Sequence, residues 1–213
     1  MPTARSTLDP ALLSVLDRLI AEGHELWARF DRDVRLHHWH SFVPSEYERV
    51  LDALVELRAP GLRFLEWGSA TGVIAVMADL LGYEAYGIEV DEHLVRIAVE
   101  TAARYASRAT FVVGSFLPGG YVWHPRDGDG RLGTLGEGAS GYLKIGYPLD
   151  DFHLVFAYPW SGEEALMRDL MRVHGAPNAG FLLQRVSGDV ELWRKERPTR
   201  TWAARTPPGA SGP

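Results

Sequence analysis

The chain has 213 residues, 46% hydrophobic and 23% charged, with a formal net charge of −6 and a pI near 5.7. That size and balance suit one globular domain with a full core, and the acidic net charge argues against a nucleic-acid surface, which needs clustered Lys and Arg. There is no cysteine, which excludes disulfides and thiolate zinc sites.

Asp9-Pro10 reads as a helix start, an acid at the N-cap and proline at the first helical position. Leu12, Leu13, Leu16, Leu19 and Ile20 then follow helical spacing. Gly23 is a weak point, after which Leu26, Trp27 and Phe30 continue the helix or begin another. A polar, aromatic stretch over 31–44 holds His37, His38, Trp39, His40 and Phe42. Ser45 is the expected cap of a second helix with Tyr47, Val50, Leu51, Leu54 and Leu57 on one apolar face. Pro60-Gly61 separates this helical lead, 1–60, from the rest of the chain.

Strands and helices then alternate. Leu62 to Trp67 reads as a strand, Val73 to Leu81 as a helix, and Glu84 to Glu89 as a second strand. A helix carrying Leu94, Ile97, Ala98, Ala102 and Tyr105 leads to a third strand over Ala109 to Val113. Residues 117–149 break the pattern with a glycine-rich insertion. Phe152 to Ala157 reads as a buried strand in which His153 is expected to be a satisfied core residue, and Asp150-Asp151 as its solvated start. Ser161 and Glu164 have capping-box spacing for a helix to about His174, with core Leu and Met residues between Leu166 and Val173. Ala179 to Arg185 is another strand, and Ser187-Gly188-Asp189 a turn into Val190 to Arg194. The pattern predicts an α/β fold: a doubly wound, mostly parallel sheet over 61–197, N-terminal helices, and a glycine-rich insertion after the third strand. Residues 198–213 are expected to form a disordered tail.

The first strand ends in Glu66-Trp67-Gly68-Ser69-Ala70-Thr71-Gly72, and the second in Glu89-Val90-Asp91. Glycines at such a turn remove side chains and let a ligand approach the backbone. A pyrophosphate at this helix N-terminus would meet the Glu66 carboxylate, which is unfavourable. A ligand with an amine and a sulfonium in place of phosphate would be attracted, so the unit points to S-adenosylmethionine rather than to a dinucleotide. A doubly wound fold whose glycines only permit packing is the plain alternative, and Glu89 at the next strand end weighs against it.

These residues resemble the class I S-adenosylmethionine-dependent methyltransferases, with a Rossmann-like sheet. The family's acid-x-Gly-x-Gly-x-Gly signature is matched over Glu66 to Gly72, with Ala70 in place of the middle glycine. The resemblance spans roughly 62–183. It implies that Gly68, Ser69, Ala70 and Gly72 wrap the methionine end, Glu66 supports its amine, Glu89 binds the ribose hydroxyls and Val90 lies on the adenine. Ser115 and Phe116 are also candidate cofactor-binding residues by this resemblance, Ser115 standing where the family often has an acid that reads the adenine amine. Tyr158-Pro159-Trp160 stands where amino-methylating members carry Asn or Asp before Pro-Pro and an aromatic residue. The short stretch after the fifth strand implies that the family's last helix and antiparallel strand pair are shortened.

The expected activity is methyl transfer from S-adenosylmethionine to a small-molecule acceptor, with Tyr158 and Trp160 as candidate catalytic residues and Trp39, Phe42 and Tyr47 as a possible aromatic lid. Alternatives are a non-catalytic S-adenosylmethionine-binding protein and an NAD-dependent oxidoreductase. No metal site is expected, because adjacent His37 and His38 with His40 have poor ligand spacing. The start of the chain lacks a signal-peptide layout, and no apolar run reaches the roughly 18 residues of a membrane span, so a soluble cytoplasmic protein is expected.

Overall fold

The computed structural model describes residues 4–38, 40–121, 138–160 and 162–203. Five parallel strands, β1 (Arg63–Trp67), β2 (Glu84–Glu89), β3 (Thr110–Val113), β4 (Leu154–Ala157) and β5 (Gly180–Gln184), are followed by two antiparallel strands, β6 (Val190–Arg194) and β7 (Arg197–Trp202). They form one sheet in the order β3-β2-β1-β4-β5-β6-β7. Every residue of β4 and β5 is buried, as expected for strands covered on both faces.

Side-chain alternation separates two cores. Phe64, Leu154, Phe156 and Leu182 face helices α1 (Pro10–Phe30), α2 (Tyr47–Leu57), α3 (Val73–Leu80) and α4 (Glu92–Arg104). Leu65, Trp67, Val155, Phe181 and Leu183 face the short helix α5 (Tyr142–Ile145) and α6 (Glu164–His174). The first face thus depends on the N-terminal helices, whose Leu16, Leu19, Leu51 and Leu54 join the same cluster as Phe64. The result is the doubly wound, mostly parallel α/β sheet that the sequence pattern predicts.

Asp9 caps α1, its carboxylate accepting from the Ala11 and Leu12 N–H groups at 2.8 and 3.3 Å. Gly23 does not break the helix. A Cβ there would lie 2.9 Å from Cε2 of Tyr47 and 3.0 Å from Cγ2 of Val73, so the glycine lets α1 close on its neighbours. At its end α1 passes into a π-helical turn, Asp31–Arg35, a form often found near functional sites. Ser45 does not cap α2 with its side chain. The N-cap is Glu46, and Ser45 contributes its carbonyl to the Tyr47 N–H at 2.9 Å.

The expected disorder does not hold over 198–202. The segment from residue 198 is ordered as far as the structure describes it, because Arg197–Trp202 pairs with β6. Its composition is that of a solvated strand, exposed everywhere except at Trp202, which is buried in the first core. Arg200 stacks on that indole, 5.1 Å from the ring, and pairs with Glu56. Residues 204–213 lie outside the described residues. No helix stands between β5 and β6. A turn closed by Arg185 N–H to Asp189 C=O at 2.8 Å joins them directly, so the shortening implied by the resemblance removes the helix and keeps the strand pair.

His153 is not the satisfied core residue expected from the strand pattern. It is exposed at the sheet's lower edge, where its Nδ1 accepts from the Arg63 N–H at 3.0 Å. The described part of the insertion supplies α5 and a 3-10 turn, Leu149–Asp151, to the second core. Ser161, expected in a capping box, and Trp39, expected in a lid, lie outside the described residues. Among the described residues no helix is long and apolar enough to cross a membrane.

Candidate functional site

The chain runs from β1 outward to β3, then returns to place β4 on the other side of β1. Such a reversal leaves a crevice beyond the C-terminal strand ends, the usual ligand position in open α/β sheets. In-register pairing of Trp67 with both Ile88 and Ala157 brings Glu66, Glu89 and Tyr158 to this one edge. A cavity of about 320 Å³ opens there.

The loop after β1 is built from left-handed residues. Gly68, Ala70 and Gly72 have φ values of 68°, 44° and 78°. Ala70 tolerates a conformation that favours glycine because its N–H donates to Glu89 Oε2 at 2.9 Å. Glu89 Oε1 accepts from Val90 and Asp91 N–H at 2.7 and 3.0 Å, so this one carboxylate ties the ends of β1 and β2 together. Gly87 makes room for the loop, since a Cβ there would lie 2.7 Å from Ser69 Cβ and 2.6 Å from Phe111 Cδ1.

Glu66 is buried, and its Oε2 accepts the Ala75 N–H in the first turn of α3 at 2.9 Å. Burial pushes its pKa well above the usual carboxylate range and the Glu89 charge adds to this, against the pull of that N–H. Burial also raises Glu89, outweighing its three backbone donors. Asp91 is opposite. Burial acts to raise it, but the Leu94 and His93 N–H groups and His40 together hold it low. Burial, and then the Glu66 charge, push the pKa of Tyr47, on the wall beside Glu66, further above its ordinary value.

Of the residues expected to bind a cofactor, Glu66, Gly68, Ser69, Ala70, Glu89, Val90 and Phe116 all line this cavity, as do Tyr158 and Trp160. Two do not. Ser115 is turned into the protein, where its backbone pairs with Ser140 and its Oγ accepts from Leu117 N–H at 3.1 Å. Gly72 starts α3 by packing: a Cβ would lie 2.7 Å from both Ala98 Cβ and Phe111 Cζ.

Of the residues expected in an aromatic lid, Phe42 and Tyr47 line the cavity, and other wall residues had no local signal. Residues 40–46 come over from the N-terminal lead, Met167 reads as core from its helical spacing, and Val186 sits exposed at the rim. His37 and His38 are exposed, whereas His40 meets Asp91 at 3.1 Å. Among the described residues no three His, Asp or Glu side chains are placed to share a metal ion.

The cavity suits a cation. Its described lining includes buried Glu66 and Glu89 and no Lys or Arg. Ser69 Oγ, also on the wall, is buried without a hydrogen-bond partner, and Val90 presents an exposed apolar face. These groups fit S-adenosylmethionine: acids for its amine and ribose hydroxyls, an unpartnered hydroxyl at the loop, and an apolar face for its base.

No family model matches the sequence, and no curated protein matches it. The fold is similar in part to an RNA methyltransferase from Salinibacter ruber in complex with S-adenosyl-L-homocysteine (17% identity, 67% of this chain and 76% of that one, TM-score 0.46). It is similar to a precorrin-6y C5,15-methyltransferase from Geobacter metallireducens GS-15 (14% identity, 68% and 64%, TM-score 0.46). A SAM-dependent methyltransferase from Thiobacillus denitrificans, also with S-adenosyl-L-homocysteine, gives 17% identity over 74% of this chain and 54% of that one, with a TM-score of 0.45. The chain therefore spans about three quarters of the first of these proteins and less than two thirds of the other two.

Proposed function

We propose that the protein is a class I S-adenosylmethionine-dependent methyltransferase acting on a small molecule. The observation that carries this is the pair of buried acids, Glu66 and Glu89, at the ends of β1 and β2, facing one cavity whose described lining has no basic side chain. A dinucleotide pyrophosphate would be repelled there, whereas a cationic ligand gains from both carboxylates.

Bound S-adenosylmethionine supplies an electrophilic methyl group on a sulfonium. The chain's part is then positioning and exclusion of water. Glu66 holds the amino acid end, and Glu89 takes the ribose hydroxyls while keeping Ala70 in place. Val90 and Phe116 flank the base. Phe42, Tyr47, Tyr158 and Trp160 surround the remaining space with aromatic surface, which favours a cation and keeps water out. A small acceptor is in keeping with a cavity of about 320 Å³ that residues from 40–46 help to line. The proposed setting is the cytoplasm, in keeping with a chain without cysteine.

Calorimetry with S-adenosylmethionine, S-adenosylhomocysteine and NAD tests the cofactor, and incubation of methyl-labelled S-adenosylmethionine with a metabolite extract tests the transfer. Binding of NAD alone would overturn the assignment. Binding of the sulfur ligands without label transfer to any acceptor would leave a cofactor-binding protein in place of an enzyme.

A further inference from the structure

Residues 40–46 have no regular secondary structure, yet His40, Ser41, Phe42, Val43 and Ser45 all line the cavity. Three hydrogen bonds fix this strap, each at a different strand end. His40 Nε2 meets Asp91 Oδ2 at 3.1 Å just after β2, Trp160 Nε1 donates to the Ser41 carbonyl at 2.9 Å after β4, and the Glu46 N–H donates to Gln184 Oε1 at 2.9 Å at the end of β5. The strap thus crosses the crevice from one side of β1 to the other.

Its centre is seated by Phe42, whose ring lies 5.2 Å from Trp27 and 5.3 Å from Phe30. With Leu94 these residues form a small apolar cluster, apart from the two main cores, that also touches Ala70 of the ligand loop. The closed strap therefore rests on a few local contacts, and the sheet beneath does not depend on them. Gln184 is 2% exposed, so its amide oxygen would be left without this donor if the strap moved away.

We propose that Trp160 and Gln184 are positioning residues that latch residues 40–46 over the cavity, and that ligand is admitted and released when this strap opens. The indole N–H of Trp160 is directed to the main chain of the strap, which makes Trp160 a latch rather than a participant in chemistry. His40 is engaged in the same way: its Nδ1 accepts the Phe42 N–H at 3.0 Å while Nε2 faces Asp91. Residues 40–46 then act as the movable wall of a site whose fixed wall is the sheet with the helices packed in its core. The proposal rests on the methyltransferase assignment only for the choice of S-adenosylhomocysteine as probe.

The test uses the full chain, with Trp160→Phe, which keeps a ring on the wall but removes the N–H, and Gln184→Leu, which keeps bulk but removes the acceptor. Stopped-flow dissociation of S-adenosylhomocysteine is expected to accelerate roughly 2- to 10-fold in each variant, the factor for one ordinary hydrogen bond. Hydrogen exchange of the unliganded protein is expected to speed up by a similar factor at the amides of 41–46, with β1 and β4 unchanged. Unaltered dissociation together with unaltered exchange in the strap would overturn the latch, as would a loss of protection spread over the whole sheet. Failure of the parent protein to bind S-adenosylhomocysteine would count against the cofactor assignment alone, because the exchange measurement needs no ligand and decides the latch by itself.

Discussion

Glu89 at the end of β2 and Ala70 in the loop after β1 are joined by a 2.9 Å hydrogen bond from the Ala70 N–H to Oε2 of the acid. The residue best placed to bind ribose is therefore also a brace for the loop that receives the rest of the ligand. Glu89→Ala is expected to weaken S-adenosylmethionine binding by about 1–3 kcal/mol and to lower stability as well, since three backbone donors lose a buried acceptor. Calorimetry and urea unfolding measure the two effects, and a loss of affinity at unchanged stability would contradict the bracing role.

Glu66 and Glu89 both have raised folded-state pKa values. The folded protein therefore holds these protons more tightly than the unfolded chain does. Their contribution to stability is full below the ordinary carboxylate pKa and is lost as pH rises through the raised values. Binding of a cation has the opposite sign, because it needs the ionised acid. Affinity for S-adenosylmethionine should rise with pH through the raised range of Glu66, with proton release on binding, and Glu66→Gln should flatten this dependence. Calorimetry in buffers of different ionisation enthalpy reads the released proton directly.

Gly87→Ala is expected to destabilise the protein by about 1–3 kcal/mol, the usual cost of overpacking. The added methyl would press on Ser69 and Phe111, so binding of S-adenosylhomocysteine should weaken in the same variant. Chemical denaturation and a binding titration check both, and normal affinity would show that Ser69 is not on the ligand's wall.

Trp202 anchors β7, but its indole N–H is buried without a hydrogen-bond partner. Trp202→Ala should cost about 3–5 kcal/mol through the cavity it leaves. Trp202→Phe removes the unpaired donor with part of the volume, so its cost should be much smaller. Equal urea midpoints for the two variants would refute this distinction.

Legibility followed locality. Glu66 and Glu89 could be read from sequence because they stand at or next to the C-terminal ends of two strands, and parallel pairing then carries both to one edge. Ser115 had the right place in the chain, but its side-chain direction is set by pairing with Ser140 across the insertion. Gly72 belongs to the motif by spacing, yet its φ and its contacts with Ala98 and Phe111 make it a packing residue. In β7 a charged, proline-containing composition concealed an edge strand, where such residues are normal. Phe42 was legible as a lid residue from its aromatic surroundings, but the anchoring of the strap was not, since its partners Trp160 and Gln184 are brought to it only by the finished sheet.

The three anchors of that strap lie 51, 119 and 138 residues away along the chain. Contacts of such long range close late, because the entropy of the intervening loops must first be reduced by other structure. The partner at the end of β5 is the last of them to be synthesised, so the ligand chamber cannot be sealed on a nascent chain that stops short of Gln184. Acquisition of slow ligand release would then mark the moment at which the whole parallel sheet has assembled.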